Sequence, residues 1–280
     1  MVAVAGDGGA GIAAPQAPRP RNRRGPGSGS LARWTVLLLV AAYFLIPLYA
    51  AAAFAVETPD GGVSAGVFSG IPSQEGFADA FGLSLRLALV TIVITLALMV
   101  PTAIYVHLRL PRVQRLFEGI TLLPIVIPPV VLIVGVLQVA PGSLKATPYL
   151  LALEYAVLAM PFAYRSLDSG LRALALKTLV EASTSLGGGW FTTLFRVLLP
   201  NLRSAVLSAT ILTIALVLGE YTMASLDQYE TFPVWMVVFS QDDAHVSVAV
   251  SLLSLVVVWL LLLGITLIDR RRGRSIPGES

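Results

Sequence analysis

Few residues in this sequence could do chemistry by themselves. The 280 residues include no cysteine, so a disulfide, a thiolate metal site and a cysteine nucleophile are all excluded. The two histidines, His107 and His245, lie far apart and neither stands at metal-ligand spacing from a neighbour, which reads as two loop histidines. No Ser-His-Asp set or pair of carboxylates occurs in the apolar blocks, against a membrane hydrolase. The glycine run Gly187-Gly188-Gly189 is followed by neither Lys-Ser nor Lys-Thr. It is therefore no phosphate loop, and no cofactor is called for. What remains is Glu154, and Glu220 beside Tyr221, two carboxylates in or beside apolar sequence. A charge at the bilayer centre costs about 2.5–3.5 kcal/mol on insertion scales, so each should face a bundle interior, water or a partner. Both are candidate pathway residues. The plainer readings are a Glu154 that snorkels to the outer surface and a Glu220 that hydrogen-bonds between helices. A carboxylate on a translocation path favours cationic cargo.

The elements that must position these groups are membrane helices. The chain is 56% hydrophobic and 12% charged, too little charge to cover a soluble surface. Its apolar residues come in long blocks, the pattern lipid demands. Trp34–Val56 carries no formal charge and is long enough to cross a hydrocarbon core of roughly 30 Å; it outruns the apolar core of a cleavable signal peptide. Blocks at 87–106, 120–139, 205–224 and 246–268 follow, with a shorter one at 149–164 that carries Glu154 and Pro161 and should sit inside the bundle. Pro124, Pro128 and Pro129 predict a kinked or broken helix near Ile127, which frees carbonyls and makes Pro128 and Pro129 pathway candidates; a packing kink is the alternative. The expectation is an all-α membrane protein of six transmembrane helices: a disordered tail at 1–30, a membrane domain at 31–274 and a C-terminal tail at 275–280.

Arginine and lysine near span ends are held in the cytoplasm. Arg19, Arg21, Arg23, Arg24 and Arg33 precede the first block; Arg109, Arg112 and Arg115 follow the second; Arg165, Arg172, Lys177, Arg196 and Arg203 lie between the fourth and fifth; Arg270, Arg271, Arg272 and Arg274 close the chain. The alternate loops are acidic, with Glu57, Asp60, Glu75 and Asp79 in one and Asp227, Glu230, Asp242 and Asp243 in another, and of the basic residues only Arg86 and Lys145 fall on that side. Both termini are expected in the cytoplasm, which requires an even number of spans. The net charge of +3 is thus topological, divided among membrane boundaries, and points to no nucleic-acid partner.

One cytoplasmic connection is long, and something should fold there. Within about 171–200, Leu171–Val180 is rich in helix formers, the glycine run supplies a turn, and Trp190, Leu194 and Val197, with Phe191, Phe195 and Leu198, form an apolar helical face closed by Pro200. On periodicity alone this is a helix-turn-helix at the membrane surface, open to reading as an amphipathic hairpin anchored in headgroups.

The residues of this segment resemble those of a known family. Glu181-Ala182-Ser183, then Leu186-Gly187, then Leu199-Pro200 look like the EAA loop of binding-protein-dependent ABC importer permeases, with the same spacing from Glu181 to Gly187 and on to Pro200. Ser183 stands where the family usually has Ala, and Gly188-Gly189 replace a common Ala-Ser; small side chains are kept in both places. Ser84-Leu85, Pro101, Leu123-Pro124, Pro128-Pro129 and Pro161-Phe162 with Arg165 look like further landmarks, so the likeness covers about 83–268. It implies a type I importer (MetI-like) transmembrane domain whose loop is a cytoplasmic coupling helix, with Glu181 meeting an ATPase subunit and Gly187 making the turn. Implied partners are ABC ATPase subunits, a second permease subunit, a periplasmic or lipid-anchored solute-binding protein and membrane lipid. The implied location is the inner or plasma membrane, and the implied activity is ATP-driven import by alternating access, with hydrolysis in the partner. The Pro-Pro pair and Gly219-Glu220-Tyr221 look most like polyamine, iron(III) and oxyanion permeases. A secondary transporter or channel is the alternative; it would show an inverted repeat or several intramembrane charges, and neither is clear here.

Overall fold

The computed structural model describes residues 29–57, 62–64, 66–241 and 243–272. The tail expected at 1–30 falls almost wholly outside them, as do Asp60, Asp242, Arg274 and the segment 275–280. The chain divides into two compact units at Pro47–Leu48. The described part of the first is the opening of α1 (Gly29–Val56); the second holds all that follows.

Every long element is helical. After α1 come α2 (Phe77–Arg109), α3 (Gln114–Val126), α4 (Pro129–Val139), α5 (Tyr149–Arg172), α6 (Leu176–Ser185), α7 (Trp190–Asn201), α8 (Arg203–Gly219), α9 (Thr222–Leu226), α10 (Phe232–Phe239) and α11 (Ala244–Arg272). Among the described residues three helices, from Arg33 in α1, α2 and α5, are each long and apolar enough to cross a membrane, and two bent pairs, α3–α4 and α7–α8, raise the number to five if each pair is one span. The sixth expected span corresponds to α11, whose apolar part is described over Ala244–Leu260. Large apolar side chains such as Leu89, Val93, Val126 and Val139 face outward, as lipid contact allows and water would penalise.

The fourth block is no short helix. It is the first two-thirds of α5, which is 24 residues long and the most deeply packed of the candidate spans, lying against α2, α3 and α8. Its close approach to α8 depends on Gly170, where an added Cβ would meet the Cβ of Ala205 at 2.6 Å. One apolar cluster joins Met99–Ile104 of α2 to Ala163, Leu167 and Leu171 of α5, then to Leu194 and Leu198 of α7 and Leu202. A second joins Leu87 and Ala88 of α2, Ile133 of α4, Leu151 and Tyr155 of α5, Val217 of α8 and Met223 of α9. Across this second region the hydroxyl of Ser84 accepts the Phe232 amide at 2.7 Å. The fifth block departs from expectation as well. Its helix ends at Gly219 and Glu220 is extended (ψ 116°), so 220–224 does not continue the span but turns into α9.

Candidate functional site

The proline-rich third block breaks as its covalent chemistry requires. α3 and α4 meet at 96°, with Ile127 extended at ψ 123°. Pro128 and Pro129 have no amide hydrogen, so the carbonyls of Pro124 and Ile125 lose their helical donors. The chain restarts when the Pro128 carbonyl accepts the amides of Val131 at 2.9 Å and Leu132 at 3.2 Å. α4 then packs on α9, which brings the proline break and the Glu220 turn to one apolar cluster.

Glu220 is occupied. Its Oε1 accepts the Met223 amide at 2.9 Å, and Oε2 lies 3.1 Å from the same amide and 3.4 Å from that of Ala224. A carboxylate there satisfies amides of the first turn of α9 and complements its dipole. Tyr221 beside it is exposed. Glu154 is the opposite case: it is 2% exposed, so it does not snorkel, and neither oxygen has a hydrogen-bond partner among the described residues. It lies within electrostatic reach of Asp227 and Glu220. The Tyr155 hydroxyl and Asp227 Oδ2 are likewise buried without a partner there. Burial pushes the Asp227 carboxyl up from its ordinary value. The structure thus gathers Glu154, Glu220 and Asp227; the last was legible only as one acid of an outer loop.

The loop at 171–200 is an elbow. Leu171 and Arg172 belong to α5, and the first arm is α6 alone. α6 ends in a Schellman closure: the Gly188 amide donates to the Ser183 carbonyl at 2.8 Å and the Gly187 amide to that of Thr184 at 2.9 Å. Gly187 sits at φ +79°, where a side chain is strained. Gly188 is needed for a different reason, because a Cβ there would lie 2.6 Å from Ser183 Oγ and 2.8 Å from the Ser183 carbonyl oxygen. The second arm, α7, contains a π turn at Thr193–Leu198 and runs through Pro200 to Asn201. Pro200 therefore does not close it; the bend of 77° into α8 falls at Leu202. Leu199 is partly buried against the neighbouring cluster. Leu186, at the tip, is 89% exposed, and Phe191 and Phe195 are exposed on the second arm. Glu181 and Ala182 are exposed on the first. Between the elbow and the end of α2 lies a cleft of about 740 Å³, lined by Tyr105, Arg109, Lys177, Glu181, Trp190 and Thr193 among others.

A polar network near the elbow had no local signature. His107 is not a loop residue; it lies in the last turn of α2. Its Nδ1 donates to the Ala103 carbonyl at 2.8 Å, and its Nε2 is 3.0 Å from both Gln114 Nε2 and Asp168 Oδ1. Gln114 also donates to Asp168 Oδ1 at 2.9 Å, and Arg172 Nε donates to Oδ2 at 2.7 Å. Only the i,i+4 pair Asp168–Arg172 could have been found in the sequence. His245 is helical too, stacked on Phe54 with ring centroids 4.2 Å apart.

Residues 99–274 match the family model of the binding-protein-dependent transport system inner membrane component. The chain belongs to this family. It is similar to the molybdenum transport system permease proteins ModB of Mycobacterium bovis and Mycobacterium tuberculosis, each 29% identical over 255 residues that cover 84% of this chain and 94% of the relative. The chain is a permease subunit of a binding-protein-dependent ABC importer, a multi-pass membrane protein whose family works with an ATPase and a solute-binding protein. The matched region contains the elbow, the proline break and the carboxylate cluster.

Proposed function

We propose that Glu181, Ala182, Ser183, Leu186, Gly187, Leu199 and Pro200 make up the coupling segment through which an ATPase subunit drives this permease, with Glu181, Ala182 and Leu186 at its surface. One observation supports the reading above the others: a tightly closed, hydrogen-bonded elbow presents Leu186, Phe191 and Phe195 to the outside next to Glu181. Large apolar side chains held on a rigid turn make an anchor for a protein partner. Arg165, Arg172, Lys177, Arg196 and Arg203 around the elbow favour a cytoplasmic position and, with it, cytoplasmic termini. Transport proceeds by alternating access with a second permease subunit, identical or homologous, and a binding protein meets the acidic outer loops. The subunit contributes no hydrolytic chemistry of its own to this cycle.

The cargo is an oxyanion of the molybdate kind. The similarity to the molybdenum permeases supports this over polyamine or iron(III). So does the occupation of Glu220, the residue that had favoured a cation, by the amides of α9. The break at Pro128 and Pro129, together with Tyr221, borders the path near that cluster. Glu181→Arg and Gly187→Val tested in vesicles reconstituted with the ATPase and binding protein should lose ATPase co-purification and ATP-dependent uptake of labelled molybdate. Uptake that persists without any ATPase would instead favour a secondary carrier or channel.

A further inference from the structure

We propose that the hydroxyl pair Ser183–Thr193 is a clamp that fixes the angle between the two arms of the elbow, and that both are positioning residues for ATPase coupling. The inference rests on the coupling role proposed above and deepens it. Ser183 Oγ and Thr193 Oγ1 are 2.8 Å apart and join α6 to α7 across the glycine turn. Thr193 Oγ1 donates to the Gly189 carbonyl at 3.1 Å, which leaves Ser183 to donate to Thr193. Both residues are buried, Ser183 at 9% and Thr193 at 1% exposure.

A partner that grips Glu181 on one arm and Phe191 and Phe195 on the other reads the relative orientation of the arms. Apolar contact is non-directional and leaves that orientation loose, whereas a hydrogen bond weakens steeply as its angle departs from linear. Apolar packing joins the arms as well, through Leu176 of α6 and Leu194 and Leu198 of α7; the hydroxyl pair adds direction at the edge of the cleft of about 740 Å³, which Thr184, Trp190 and Thr193 line. The clamp accounts for one departure from the family pattern, since the serine that replaces the usual Ala supplies the clamp hydroxyl. Glycine at 188 follows from the turn itself, where a Cβ would meet the Ser183 carbonyl oxygen at 2.8 Å as well as the hydroxyl at 2.6 Å.

The test measures the affinity of the cognate ATPase subunit for the full-length permease in lipid nanodiscs, which requires no knowledge of the cargo. Variants are Ser183→Ala, Thr193→Val, Thr193→Ser and the Ser183→Ala/Thr193→Val pair, each with a thermal midpoint. Loss of one neutral hydrogen bond that preorganises the site should weaken capture about 2- to 10-fold in each of the first two. Thr193→Ser should retain it, and the double variant should be no weaker than either single one, the mark of a shared interaction. Unchanged capture in Ser183→Ala, additive losses, or losses matched by a fall in thermal midpoint would overturn the clamp and leave the coupling role standing. A wild-type permease that captures no ATPase would overturn both.

Discussion

The two ends of α5 handle polar groups in opposite ways. Near its last turns, Asp168 is held by His107, Gln114 and Arg172, which ties the end of α2 and the start of α3 to α5. Near its first turns, Glu154 is buried with neither oxygen paired among the described residues, beside a Tyr155 hydroxyl in the same condition. The two carboxylates lie fourteen residues apart on one helix, roughly 21 Å at 1.5 Å rise per residue. A satisfied ionic network fixes helix ends relative to one another and favours rigidity. An unsatisfied buried group has a cost that persists until a rearrangement relieves it. The elbow belongs with the satisfied end, since its closure, its clamp and the Asp168 network all lie on the side that meets the ATPase in the proposed arrangement. A transporter that receives force at one end and opens a path at the other gains from such a division.

The largest effect that would break this contrast is expected from Asp168→Ala. Removing the carboxylate leaves the part-buried Gln114 and His107 without their shared acceptor, a loss of hydrogen bonds to a charged group worth about 1.5–3 kcal/mol each, while the exposed Arg172 turns to water. The thermal midpoint in detergent should fall clearly, and Asp168→Asn should recover part of the loss. A midpoint equal to wild type for Asp168→Ala would show that the network is ornamental. Next comes Gly187→Val. A β-branched residue at φ +79° is strained by about 1–2 kcal/mol, which the exposed turn relieves by opening locally, so ATPase capture should drop about tenfold while the thermal midpoint barely moves. A large fall in the midpoint would place the elbow in the folding core instead.

The difference between the two ends also explains what the sequence could and could not disclose. The elbow was legible because its determinants are local: a glycine at the αL position, small residues around it and an apolar face at helical spacing. The break at Ile127 was legible for the same reason, three prolines within six residues. The length of α5 was misjudged, because Arg165, Asp168 and Arg172 end the apolar block at Tyr164 while the helix runs on to Arg172. The His107–Asp168 tie joins residues 61 positions apart, and nothing in either local sequence marks the partner. Glu220 was recognised as a pathway candidate, while the amides that it accepts were not foreseen. Its bonds go to amides three and four residues on, a capping pattern that resembles a pathway carboxylate until the helix after it is seen.

Smaller effects sharpen the other end. Glu220→Ala removes the oxygens that satisfy the first turn of α9 and should cost about 1 kcal/mol. Glu220→Gln keeps an acceptor oxygen in place and should recover most of that stability. If Glu220 instead binds cargo, Glu220→Gln would raise the KM for uptake while the thermal midpoint stayed constant, and the capping account would fail as an explanation of its function.

The smallest stability change is expected from Glu154→Gln, and it bears most directly on the cargo. The amide has nearly the shape of the carboxyl group, so one buried, unpaired polar group replaces another. The thermal midpoint should stay within about 0.5 kcal/mol of wild type or rise, as for a substitution that relieves rather than breaks an interaction. For an oxyanion, a negative charge near the path is a barrier, so uptake of labelled molybdate should be unchanged or faster in Glu154→Gln. A cation importer would behave in the reverse way, because loss of the charge would remove its attraction to the cargo. Slower uptake at an unaltered thermal midpoint would therefore sink the oxyanion assignment and return Glu154, buried but available, to the role of a cation-binding carboxylate.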